Sequence, residues 1–137
     1  MIGIIFVMSG VGTANAQGPV LQYSTPPVYY RWMVELASCE HLALPPIQDF
    51  QQMKFFLVVD THFHTVMANG DTLDVLAVTN APQHVIVSSS LFILDPYIMK
   101  HEFLHYVLFY NFPDGRYNNG KNDHPPEYFG KCEVKPD

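Results

Sequence analysis

Between Asp95 and Pro113 the chain is apolar at almost every position; Lys100, His101, Glu102 and His105 are the only charged or imidazole side chains in residues 96–110. A run of that length predicts a helix rather than a strand. Asp95 is a good N-cap residue and Pro96 suits the first helical position, while Pro113 and Gly115 end the run. The helix is expected from about residue 96 to about residue 110, buried and central because its apolar side chains surround the axis.

Upstream the pattern is that of strands. Residues 54–60 and 61–67 are dense in Phe, Val, Leu and Thr, and Asn69-Gly70 is the preferred dipeptide of a tight hairpin turn, with residues 73–78 expected to return as the partner strand. Asn80-Ala81-Pro82 reads as a second turn, and residues 84–88 as one more short strand. Residues 28–37 are aromatic and β-branched and are expected to form a strand, although 32–36 would also tolerate a helical turn. Pro45-Pro46 breaks the chain before a loop or one short helix over 47–53. Residues 18–27 read as an extended leader, with regular structure beginning near Val28. Residues 113–126 form a loop of Gly, Asn, Asp and Pro, and 127–132 lead into a short tail. About four strands followed by one long helix predict an α+β domain.

Composition narrows the picture. The 137 residues, 48% of them apolar, give room for one domain and one core. Seven Lys and Arg stand against thirteen Asp and Glu, a formal charge of -6 that leaves no basic stripe for phosphates or an anionic membrane surface. Nucleic acid is therefore not an expected partner. Residues 1–16 read as an export signal: 2–11 is a short apolar run, and Ala14-Asn15-Ala16 fits the small-x-small pattern for cleavage before Gln17. The first positive side chain is Arg31, so the basic segment expected of a signal is missing and the signal reads as incomplete; a buried strand or helix is the competing reading. The expected domain is 17–137, secreted or periplasmic, with no stable membrane insertion after signal removal. Cys39 and Cys132 are the only cysteines, and in an exported chain an even count favours a disulfide between them.

The chemistry lies in His101-Glu102-Phe103-Leu104-His105, an HExxH sequence inside the expected helix. Residues four apart share a helix face, so His101 and His105 can reach one Zn2+ ion, while Glu102 is rotated by one residue and can act as general base on a water in the open position. A structural zinc site would close with thiolates or further imidazoles, and the two cysteines are already assigned to each other, so an open, catalytic type of site is expected. A third ligand must come from the loop Asn122-Asp123-His124-Pro125-Pro126-Glu127. His124 is favoured, since imidazole is a common zinc ligand and two prolines stiffen its loop; Glu127 and then Asp123 are the alternatives. His62 and His64 alternate along an expected strand and read as exposed side chains rather than a second metal site. His41 and His84 read as isolated.

With these residues in place, the chain resembles the zincin metallopeptidases over residues 54–132. The resemblance implies a twisted, mostly antiparallel sheet packed on a central HExxH helix, and hydrolysis of a peptide or protein substrate. The extended metzincin motif is not matched, since Leu108 and Asn111 stand where it needs Gly and His, and no second helix carries a gluzincin-type glutamate. The chain is most similar to a group of small, exported bacterial metallopeptidases in which HExxH is followed by a His-Pro element, an aromatic residue and a Cys, here His124-Pro125, Phe129 and Cys132. That likeness implies His124 as third ligand and a Cys39–Cys132 bridge. The expected function is thus a secreted zinc peptidase, with a zinc-stabilised binding module without turnover as the alternative from another class and hydrolysis of a non-peptide substrate as a third. Glu102 favours an enzyme, because a binding module has no use for a carboxylate beside the metal.

Overall fold

The computed structural model describes residues 4–8, 12–16, 19–66 and 70–137, with the backbone alone for 4–8, 12–16 and 66. The described chain is a small mixed α+β unit, in which three helices accompany two four-stranded sheets. One sheet holds β1 (Ile4–Met8), β2 (Gly12–Ala16), β5 (Phe63–Val66) and β6 (Thr72–Val75), all antiparallel. The other holds β3 (Val20–Tyr23), β4 (Lys54–Val58), β8 (Val85–Ser89) and β7 (Ala77–Asn80) in that order, with β4 and β8 parallel. Pairing is mostly antiparallel, as expected, but it is divided between two sheets.

The division arises within the stretch expected to be a single strand. Thr72–Val75 pairs with β5 and has three exposed residues, whereas Ala77–Asn80 pairs with β8 and is almost wholly buried. Between them, the Leu76 carbonyl accepts a hydrogen bond from Ser89 N at 2.8 Å, so the chain changes sheets without losing its backbone partner. No Gly or Pro marks the change. Of the expected Asn69-Gly70 turn, Asn69 lies outside the described residues; Gly70 has φ 90°, a left-handed conformation open to glycine, and the two strands it separates are paired.

Residues 28–37 do not form the expected strand. They belong to helix α1 (Val28–Glu40), whose buried residues Tyr29, Met33, Leu36, Ala37 and Glu40 recur at helical spacing. Packing of that face outweighs the β propensity of its Val, Tyr and Trp residues. Regular structure also begins earlier than Val28: β1 and β2 pair within residues 4–16, and β3 pairs with β4 from Val20 onward. After Pro46 comes the short helix α2 (Ile47–Gln51).

Helix α3 (Pro96–Asn111) follows its expectation closely. The Asp95 carboxylate caps it, accepting from Tyr97 N at 2.9 Å and Ile98 N at 3.3 Å. It packs against α1 on one side and β7 on another. The main core lies where α1, β4 and α3 meet: the Tyr29 ring stands edge-on to Phe55 at 5.0 Å and to Phe103 at 5.2 Å. The Tyr29 hydroxyl donates to the Ile93 carbonyl, which places the start of α3 relative to α1. A smaller cluster of Val58, Phe63, Val78 and Val87 includes residues of both sheets.

Cys39, near the end of α1, is bridged to Cys132 as expected, with Cα atoms 5.9 Å apart and a sequence separation of 93. Closing a loop of that length stabilises the fold by about 4 to 5 kcal/mol in the chain-entropy treatment. Phe103 has no exposed surface, so Phe103→Ala should cost about 3–5 kcal/mol of unfolding free energy. Urea titration with the bridge intact checks this; a loss below about 1 kcal/mol would mean that the Tyr29–Phe55–Phe103 cluster does not organise the core.

Candidate metal centre

Helix α3 turns His101 and His105 toward the same space, as a four-residue spacing must. His124 arrives from the loop that follows, ahead of Pro125 and Pro126. The ring centroids are 5.1 Å apart for His101 and His105, 5.0 Å for His101 and His124, and 4.8 Å for His105 and His124. One ligand atom from each lies within 4.8 Å of the other two, and among the described residues this is the one group of three or more side chains able to hold a metal. The Phe129 ring stands against all three imidazoles at 4.8 to 5.0 Å and walls the cluster.

Neither alternative loop ligand joins them. Asp123 is engaged in its own turn, where its Oδ1 accepts from Asn119 N at 2.8 Å and Gly120 N at 2.9 Å. Glu127 is exposed and accepts from the Tyr117 hydroxyl at 3.4 Å. Both line the cleft rather than the cluster.

Glu102 is buried, 4% exposed, beside the histidines. Its Oε1 accepts from the Thr79 hydroxyl at 2.7 Å, and its Oε2 lies 3.8 Å from His101 Nε2. Burial pushes the Glu102 carboxyl up to about 7, with the Thr79 hydrogen bond and the nearby His124 pulling the other way. The histidines are shifted in the opposite sense. Burial holds His105 well below the usual imidazole range, reinforced by His101 and His124, and lowers His101 and His124 as well. Three imidazoles kept neutral by desolvation have free lone pairs, the state in which histidine binds a metal. This donor set fits a zinc ion: three nitrogens, no thiolate, and a carboxylate next to them.

In front of the cluster lies a cleft of about 810 Å³, bounded by residues 73–79 on one side and the loop 117–127 on the other. β7 is an edge strand of its sheet among the described residues and borders this cleft. The remaining histidines stand apart. His62 Nδ1 is 2.7 Å from Asp74 Oδ1, with His64 at 3.8 Å from the same oxygen, and both rings are about half exposed. His41 closes α1 in a left-handed conformation, and His84 faces the Tyr106 hydroxyl at 3.1 Å. Comparison with known families, with curated proteins and with solved structures finds no match to this chain.

The geometry makes His124 the residue that separates the loop candidates. His124→Ala should lower zinc affinity by more than the 10–100-fold typical of outer-shell partners, while Asp123→Ala and Glu127→Ala stay near wild type in competition with a chromophoric chelator. The reverse ranking would mean that the third ligand is an acidic residue of the loop.

Proposed function

We propose that this protein is an exported zinc-dependent peptidase, with His101, His105 and His124 as metal ligands and Glu102 as general base. The observation that carries the reading is a buried carboxylate beside a cluster of three imidazoles that opens onto a cleft. Zinc bound by three imidazoles supplies Lewis acidity toward a water and a substrate carbonyl. The rest belongs to the chain. Glu102 takes a proton from the attacking water and returns it to the leaving amine, a shuttle that works best with a pKa near the operating pH. Thr79 holds Oε1 and so leaves Oε2 toward His101.

The resemblance to the zincins supports the same reading, as does the position of α3 beside the edge strand β7, along which an extended peptide can lie. An exported protein is supported by the Cys39–Cys132 bridge, which belongs to an oxidising compartment. No described helix is long and apolar enough to cross a membrane. A binding module without turnover is the weaker reading, because it leaves the buried Glu102 carboxylate without a purpose.

Glu102→Gln should keep one zinc per chain and lose peptide hydrolysis by about 100-fold or more, the usual scale of general acid–base catalysis. Equal turnover by variant and wild type would remove Glu102 from the mechanism, and no turnover by wild type on a broad peptide library would favour the binding module. The Thr79 hydrogen bond lowers the Glu102 pKa, so Thr79→Val should raise it. A base acts when deprotonated, and the acidic limb of kcat/KM should therefore move to higher pH. An unmoved limb would mean that Thr79 does not tune Glu102.

A further inference from the structure

Residues 131–137 have no helix or strand among them, yet they are fastened to the site at several points. The Lys135 carbonyl accepts from His101 Nδ1 at 2.6 Å. A carbonyl can only accept, so this ring carries its proton on Nδ1 and leaves Nε2 free to face the cluster. Asp137 Oδ1 lies 3.3 Å from His124 Nδ1, an arrangement of the same sense on a second imidazole. The Lys135 carbonyl is itself held in place: Lys135 N donates to the Tyr97 carbonyl at 3.2 Å, and Val134 beside it is 1% exposed.

Two further anchors hold the segment to the helices. Lys100, next to His101 in α3 and almost wholly buried, donates from Nζ to Glu133 Oε2 at 3.3 Å and to Glu35 Oε2 of α1 at 3.4 Å. The Cys39–Cys132 bridge fixes the start of the segment to the end of α1. Cys132 and Glu133 both have left-handed backbone, with φ of 57° and 60°, a conformation that such residues keep only where their surroundings impose it.

We infer that residues 131–137 are a positioning strap that sets which ring nitrogen of His101 and His124 faces the metal, and that the Cys39–Cys132 disulfide governs metal affinity through it. The inference rests on the metal-centre reading for its affinity readout and on the geometry alone for the ring tautomers. Lys135, through its carbonyl, and Asp137 are positioning residues. The bridge lies outside the ligand set and acts by holding the Lys135 carbonyl at His101. Outer partners that orient a ligating imidazole typically account for 10–100-fold in metal affinity.

The test uses the full chain as oxidised wild type, the double variant Cys39→Ser/Cys132→Ser, and Asp137→Ala. Zinc affinity is measured against a chromophoric chelator, ring tautomers by long-range ¹H–¹⁵N correlation on the metal-free protein, and folding by near-UV circular dichroism. Metal-free wild type should show His101 in the Nδ1–H form. The folded double variant should show His101 as a mixture of tautomers and bind zinc about 10–100-fold more weakly. Asp137→Ala should weaken zinc by about tenfold and shift the His124 ring while leaving His101 unchanged. A folded double variant with wild-type ring shifts and affinity within about twofold of wild type would overturn the inference, as would His101 in the Nε2–H form in wild type. Should the double variant not fold, the wild-type His101 tautomer and the Asp137→Ala result decide alone. If wild type binds no zinc, the peptidase reading falls, and the ring shifts still judge the strap.

Discussion

A carboxylate and two imidazoles on a helix with almost no polar surface are expensive to dehydrate unless each finds a partner. Most of the architecture around α3 answers that requirement. Glu102 is met by the Thr79 hydroxyl, which obliges β7 to lie against the helix. His101 is met by the Lys135 carbonyl, which brings residues 131–137 back across the start of the helix. Lys100, one residue earlier, draws in Glu35 from α1 and Glu133 from the same returning segment. The polar side chains of α3 thus act as docking points that select which strand and which loop may approach.

The apolar side chains do complementary work. Tyr29, Phe55 and Phe103 lock α1, β4 and α3 together through edge-on ring contacts, so the helix bearing two of the histidines is held by core packing independently of the cluster. His124 is the one imidazole of the cluster supplied by a loop. Its position relies on Pro125, which is buried, and on the Phe129 ring behind it. A site held by aromatic packing on one side and by backbone hydrogen bonds on the other needs little reorganisation to accept an ion.

Much of this was legible in the residues, for physical reasons that differ from element to element. Helix α3 announced itself through Asp95-Pro96 and through a run too long for a strand, and the meeting of His101 with His105 follows from helical pitch. The bridge was legible because two cysteines allow one pairing. Helix α1 was not, since its Val, Tyr and Trp content points to a strand while the burial of Tyr29, Met33, Leu36 and Ala37 follows helical spacing; composition and period conflicted, and packing decided. The crossing at Leu76 carried no turn residue. Asp123, His124 and Glu127 could be ranked but not separated by sequence, because only the folded loop shows Asp123 already bound to the amides of Asn119 and Gly120. Thr79 and the Lys135 carbonyl were invisible for a deeper reason: a threonine in a strand looks like any other, and a backbone carbonyl is the same in every residue.

The parallel pairing of β4 with β8 has a consequence in time. Parallel neighbours cannot be joined by a tight turn, and here the intervening chain leaves the sheet, forms the β5–β6 hairpin in the other one and returns through β7 before β8 can register. Such long-range pairing is slow compared with helix formation. Until β7 is in place, Glu102 has no Thr79 hydroxyl beside it. The dehydrated surroundings of Glu102 are therefore complete only once β7, which carries Thr79, has paired with β8.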